Sequence, residues 1–357
     1  MRTKSVAAVA VISLMAMILV PFCTESDADS VTDYTAQLDD NGLKIREQVM
    51  EMIDRGYKSP QNTIQVDVRF DSIVIFESTE AAMKYIEDTV KKVLFSIYYS
   101  EPMAVWLWDL PVSVPDISGV TQVVRITSSS DPGREQGYFS PEKASFTLSV
   151  PSSCIDDPAT EGNELKDILD KVEAAVFEVS GSVYSSVKAI ADRLRSVKVV
   201  EDEEGTVSNV YDALVGKSSS DAGIASAFTL VARSNGLSAL TVAGMVGTDS
   251  QSEGYWNAVL ADGAWYGCDA TIYDGKDRSP LMAGTQTVIV YDSSQERFGT
   301  VHTAGDGVLD PIKISVSGYD WPDDRGFFEK WGSQIAMAAL VAIIVLTLLY
   351  AVRSGSV

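Results

Sequence analysis

Eighteen consecutive residues from Ile335 to Val352 carry no charge, and this run constrains the chain more than any other feature. As a helix it would be about 27 Å long, close to the hydrocarbon thickness of a bilayer. A helix of a soluble core is shorter or shows a polar face. Trp331 before the run and Tyr350 near its end sit where interfacial aromatics belong, and Arg353 is the only charge of the five-residue tail. A second apolar run, Val6 to Val20, follows Arg2 and Lys4. That order is the pattern of a secretory signal peptide, with a small-residue cleavage site at Ser26-Asp27-Ala28 and a mature chain from Asp29. An uncleaved anchor is the other reading. Phe22 before Cys23 argues against lipid attachment there. The expectation is an extracytoplasmic body from Asp29 to Ser333, held at the cell membrane by one C-terminal helix.

Charge and composition then remove whole classes of function. Lys plus Arg number 28 and Asp plus Glu number 50, a net charge of −22. Phosphate attraction needs a basic face, so nucleic acid is excluded as a partner, and adsorption to anionic lipid is disfavoured. There is one histidine, His302, and three cysteines, Cys23, Cys154 and Cys268. This count excludes zinc fingers and leaves little imidazole for catalysis. Loss of the signal peptide would leave Cys154 and Cys268 as an even pair in a compartment that permits disulfides. Either a bridge or two thiols fits that arithmetic, because nothing in the sequence brings the two points together.

Periodicity gives an α+β body. Helical spacing marks Leu38 to Ile53 with a stop at Gly56, a helix capped by Thr79 and running to Ile97, Leu165 to Val176, and Tyr184 to Leu194. Strand-like runs are Met103–Trp108, Gly119–Thr127 and Ala144–Val150. On the first of these, Trp106 and Trp108 would share one face, more as core than as a ligand platform. The charged run from Glu201 to Gly205 reads as a solvated loop and a soft boundary. Asp221 opens a helix that Gly236 stops. Strands follow at Leu237–Ala243, Tyr255–Leu260, Trp265–Cys268, Thr285–Tyr291 and Ile312–Val316. Asp262-Gly263 signals a hairpin. The expected layout is a signal peptide over 1–28, an N-terminal α+β region over 29–200, a helix packed on an antiparallel sheet over 201–318, a juxtamembrane linker over 319–334, the membrane helix over 335–352 and a cytoplasmic tail over 353–357.

Two blocks carry chemistry. Gly263-Ala264-Trp265-Tyr266-Gly267-Cys268-Asp269-Ala270-Thr271 is similar to the Gly-x-Trp-Tyr-x-x-Asp-x-Thr block of the transglutaminase-like superfamily, and Gly254-Tyr255-Trp256-Asn257 to its His-x-Trp-Asn block. Ser220 to Phe228 resembles the start of the family's nucleophile helix, with Asn235-Gly236-Leu237 as its turn. The similarity is strong from Val207 to Asp274 and looser over the preceding region, which resembles secreted prokaryotic members. It implies a papain-like core, needing no cofactor, in which a Cys attacks a carbonyl, a His takes its proton and an Asp orients the imidazole. In this chain those positions hold Asp221, Gly254 and Asp269, so only the orienting residue is kept and no catalytic residue is expected. Trp256, Asn257 and Trp265 would line the old cleft, and His302 resembles a non-catalytic histidine of some members.

The same residues have plainer readings. Asp221 after three serines suits a helix N-cap or first turn. Cys268 precedes Asp269 on a strand, so it faces away from whatever Asp269 faces. Two carboxylates are too few for calcium, and no metal is expected. The acidic pairs Asp156-Asp157 and Asp323-Asp324 read as exposed loops. The resulting expectation is a non-catalytic binding or structural module, with an envelope protein or peptide as partner. The alternative is a hydrolase of changed chemistry that uses Asp221, Glu253 or Asp269 as acid and base.

Overall fold

The computed structural model describes residues 33–58, 61–127, 135–151, 154, 163–202 and 206–320. Its first helix, α1 (Asp40–Lys58), buries Ile45, Val49 and Ile53 on one stripe. It runs past Gly56, the expected stop. Gly56 is needed for close approach: a Cβ there would lie 2.7 Å from the Trp106 ring and 2.8 Å from Ile64. A strand not expected from the sequence, β1 (Thr63–Arg69), follows. Helix α2 (Thr79–Ser100) is capped by Ser78, whose hydroxyl accepts from the Ala81 N–H, so Thr79 is the first helical residue instead of the cap. Its apolar face, from Ala82 and Ile86 through Leu94 and Ile97, is buried.

Strands β2 (Ser118–Thr127) and β3 (Glu135–Ser149) form a long hairpin, and β3 pairs with β1 on its other side, giving the antiparallel order β1-β3-β2. The expected strand at Met103–Trp108 is instead a 3-10 turn, Val105–Leu107. Its N–H groups are met locally, Val105 by Met103 O and Leu107 by Ala104 O, so no ladder is required. Both tryptophans are buried all the same, and their indole N–H groups donate to Gln61 O and Pro102 O.

Helices α3 (Asn163–Ala175) and α4 (Val183–Leu194) lead into a short parallel pair, β4 (Lys198–Val199) with β5 (Ser218–Ser219). Then come α5 (Asp221–Ser234), β6 (Ala239–Val246), β7 (Ser252–Ala261) and β8 (Ala264–Cys268). The β7–β8 turn has Asp262 at φ 48° and Gly263 at φ 79°, the pair of positive angles that an Asp-Gly hairpin turn requires. Only Val288–Tyr291 of the expected Thr285–Tyr291 strand forms, as β9, paired with the unexpected β10 (Ser294–Arg297). The one-turn helix α6 (Phe298–Val301) and β11 (His302–Ala304) close the body. The second sheet has the order β11-β6-β7-β8, antiparallel throughout. Ile312–Val316 reduces to a single bridge, Ile314 to Trp265.

The expected architecture, a helix on an antiparallel sheet, is what α5 and this second sheet form. Asn257 on β7 ties the layers, donating to Ala225 O and Thr229 Oγ1 of the helix, while Thr229 and Thr241 share a buried hydroxyl contact. Glu101, just after α2, accepts from both Arg46 of α1 and Arg233 of α5 at 3.1 Å, which joins the N-terminal helices to the second layer. The described residues up to Gly318 form one compact unit, and Tyr319 opens a second. No disulfide joins Cys154 to Cys268. Both apolar runs, the cleavage site, Trp331 and the two acidic pairs lie outside the described residues. Among the described residues no helix is long and apolar enough to cross a membrane.

Candidate functional site

The site is assembled at the N-terminus of α5, where orphan backbone N–H groups and the positive end of the helix dipole favour an anion. Asp221 occupies the first helical position. Its Oδ1 accepts from the Ala222 N–H at 2.8 Å and its Oδ2 from the Tyr255 N–H of β7 at 2.9 Å. The carboxylate therefore serves as a first-turn acceptor, as the plainer reading held, and also stitches α5 to β7. Next to it, Asp202 accepts from the Ser208 N–H and from the Ser208 and Ser220 hydroxyls.

Gly254 lies beside this carboxylate. A Cβ at 254 would sit 3.1 Å from Asp221 Oδ2 and only 2.5 Å from Val246 Cγ2. Val246 thus occupies the space that a side chain at 254 would use. Burial pushes the Asp221 carboxyl up to about 6, and the charges of Asp269 and Asp202 add to this against the two N–H donors. Tyr98 of α2 is buried here. Burial, and then the proximity of Tyr255, Asp202 and Asp221, hold its hydroxyl well above the usual range. A helix of the N-terminal region is therefore laid against the α5 N-terminus.

The second part of the site is Asp269, just past β8. Its Oδ2 lies 2.9 Å from His302 Nε2, and its Oδ1 accepts from the Thr271 N–H and hydroxyl. His302 Nδ1 faces Phe298 O at 3.2 Å. Asp269 Oδ2 on one ring nitrogen and Phe298 O on the other fix the orientation of the imidazole. The ring stacks on Phe298 at 4.0 Å and meets Trp256 edge-on at 5.0 Å. Burial alone would raise Asp269, but the His302 bond and charge and the Thr271 donors bring it below the usual carboxylate range.

His302 opens β11 opposite Val246 of β6, so the strand that fills the space at Gly254 also stands beside the histidine. The sequence reading treated His302 as a bystander. Its pairing with Asp269 was the residue contact missed, although the single histidine of the sequence and the Asp of the Gly263–Thr271 block were both in view.

The expected cleft-lining residues separate. Trp256 does lie beside His302 and Asp269. Asn257 is buried and turned to α5, a layer tie and not a cleft wall. Trp265 lines a groove with Arg233 and Gly236 to Leu240, at the opposite end of α5 from Asp221. Fourteen helical residues separate those ends by about 20 Å, which removes Trp265 from the site. Cys268 is fully buried; burial pushes its thiol up to about 12, and Sγ accepts from the Met282 N–H. Glu253 is exposed on the rim. Among the described residues no group of three or more His, Cys, Asp or Glu is placed to hold a metal ion.

Comparison with known proteins agrees with this geometry at the level of family. Residues 171–270 match the model of the transglutaminase-like superfamily, from within α3 to just past Asp269. Among solved structures, one similar chain is a candidate cysteine protease from Cytophaga hutchinsonii, with 14% identity over 44% of this chain and 65% of that one and a TM-score of 0.25. Another is a TGase, with 12% identity over 45% of this chain and 46% of that one and a TM-score of 0.27. Under two thirds of either structure's length is matched. No curated protein matches. Residues 171–270, which hold α5, β6, β7, β8 and Asp269, are a domain of the transglutaminase-like superfamily.

Proposed function

We propose that this protein is a non-catalytic transglutaminase-like module that binds a partner at the cell surface. It is exported by its N-terminal apolar run and anchored through Ile335–Val352 with its body outside. One observation carries the catalytic half of this reading. At the nucleophile position both Asp221 oxygens accept backbone N–H bonds, and at the base position Val246 fills the space beside Gly254. A carboxylate held that way is a poor nucleophile toward amides, and glycine takes no proton. The one imidazole has both nitrogens engaged, by Asp269 and Phe298 O.

The acid–base alternative has a specific observation in its favour, the Asp221 carboxyl pushed up to about 6 beside a lowered Asp269. It is weaker, because Asp269 is wholly buried against His302 and Glu253 stands in solvent, so the three do not present a pair across one substrate bond.

The test is amine incorporation and peptide hydrolysis by the purified full-length protein, compared with Asp221→Cys/Gly254→His. Both proteins are expected to be inactive, the second because Val246 blocks the new imidazole. Adding Val246→Ala is the arm that can restore turnover. Activity in the unmodified protein would overturn the reading. Protease added to intact cells should digest the body and leave a small anchored fragment. A protected body would overturn the topology.

A further inference from the structure

We infer that the groove at the C-terminal end of α5 is a binding site for a ligand that carries a free carboxylate. The groove encloses about 410 Å³ and lies at the opposite end of the helix from Asp221, so the inference goes beyond the reading above and does not depend on it. Its wall is built where α5 turns into β6 and meets the β7–β8 hairpin. Arg233 comes from the last turn of α5, Leu237 and Leu240 from the turn and the start of β6, and Leu260 and Trp265 from the hairpin.

Hydrogen-bond accounting selects the ligand. An indole N–H can only donate. Those of Trp106 and Trp108 have carbonyl acceptors, Gln61 O and Pro102 O. Trp265 is 6% exposed, yet its Nε1–H is buried with no acceptor. Arg233 adds charge beside it. This side chain shares the Glu101 carboxylate with Arg46, each guanidinium at 3.1 Å, so two cations stand on one anion. Arg46 Nε is also buried without an acceptor. Donors and positive charge are therefore in local excess, in a chain whose net charge is −22. A buried donor left unpaired costs free energy, and an anionic acceptor removes that cost.

The wall decides which anion. Leu237, Leu240, Leu260 and the Trp265 ring are apolar, so the body of the ligand is apolar as well. Asp33 also lines the groove, its Oδ1 accepting from the Ala36 N–H at 2.9 Å. That charge makes a doubly charged anion such as phosphate the poorer fit. A carboxylate carries a single charge, and its two oxygens suit a guanidinium fork and an indole N–H. A cavity of roughly 150 Å³ holds a benzene-sized molecule, so this groove accepts a leucine-sized side chain beside its carboxylate.

Calorimetric titration of the purified full-length protein tests this, with N-acetyl-leucine as probe and N-acetyl-leucinamide as its neutral counterpart. The acid is expected to bind at least tenfold tighter than the amide, and more weakly as salt rises. Arg233→Gln leaves Glu101 its Arg46 partner and should weaken the acid at least tenfold. Trp265→Phe keeps a ring in the wall, removes the donor and should weaken the acid about fivefold. Among the indole N–H resonances of the six tryptophans, one should move with the acid and not with the amide, and that one should be missing from Trp265→Phe. The shift is read in the natural protein, so it decides the matter even where Trp265→Phe folds poorly. An acetylated tripeptide ending in leucine separates sources: tighter binding than N-acetyl-leucine assigns a protein C-terminus, and equal or weaker binding assigns a small free acid. Equal affinity for acid and amide, tighter binding of inorganic phosphate than of the acid, indifference to Arg233→Gln, or six unmoved indole resonances would each overturn the site.

Discussion

Asp221 and Asp269 are carboxylates of one domain, near enough for the charge of one to act on the other, yet they are held in opposite ways. Asp269 is wholly buried, yet the His302 contact and the Thr271 donors hold its carboxyl below the usual range. Asp221 is less buried and has only backbone dipoles, so its charge is disfavoured. Two N–H donors do not offset desolvation when the next charges are also negative. The His302 contact together with the Thr271 donors does, even in full burial. The domain therefore holds one carboxylate in a clasp, with His302 arriving from β11, and leaves the other at a helix start with backbone N–H groups and further carboxylates around it.

The comparison breaks most directly at His302. His302→Phe keeps the stack on Phe298 but leaves Asp269 buried with Thr271 alone. The expected loss is about 3–5 kcal/mol of unfolding free energy at pH 7, read by urea denaturation. The double change His302→Phe/Asp269→Asn should recover much of that loss, since it leaves no buried charge without its partner. A loss under 1 kcal/mol in the single variant would mean that the His302 contact does not hold Asp269 in the fold.

How much of this was legible in the sequence divides along physical lines. Motif spacing placed Asp221 at a helix start, Asp269 at a strand end and Asp262-Gly263 in their hairpin, because these depend on local geometry. The Met103–Trp108 turn was misread as a strand because aromatic runs suit either, and the choice rests on tertiary burial. His302 and Asp269 are 33 positions apart, on strands that do not neighbour each other in the sheet, and no local pattern brings them together. Trp265 was misplaced for a related reason: the motif fixed its strand but not which end of α5 that strand meets.

A smaller effect sharpens the other half of the contrast. The folded pKa of Asp221, about 6, lies above the ordinary unfolded value near 3.9. A carboxyl raised in the fold binds its proton more tightly when folded, so stability rises as pH falls through 6. The whole difference is about 3 kcal/mol, and about 1.4 kcal/mol of it falls between pH 7.5 and pH 5. Asp269 acts with the opposite sign: its contribution is present above the ordinary carboxylate range and lost only as pH falls through its lowered value, so it leaves this window clear. Urea unfolding across the window should show the gain in the natural protein and its disappearance in Asp221→Asn. A slope that survives in Asp221→Asn would assign the proton to another buried acid, such as Asp212, which burial also raises.

The smallest effect asks whether the acidic corner is a local or a collective burden. Glu253 shares the field at Tyr255 but is exposed, so water screens its charge. Glu253→Gln should change stability by less than about 0.5 kcal/mol at pH 7, the range of ordinary surface substitutions. It should also leave the pH dependence above intact. If it stabilises the fold as much as moving from pH 7.5 to pH 5 does, the penalty at Asp221 comes from summed repulsion with neighbouring carboxylates and not from its own desolvation. High salt separates the two cases. Repulsion through solvent weakens as the screening length shrinks to about 3 Å at 1 M, whereas the desolvation of Asp221 does not. A pH slope unchanged by salt, together with a silent Glu253→Gln, places the cost in the burial of one carboxylate that has backbone dipoles where its domain partner has His302.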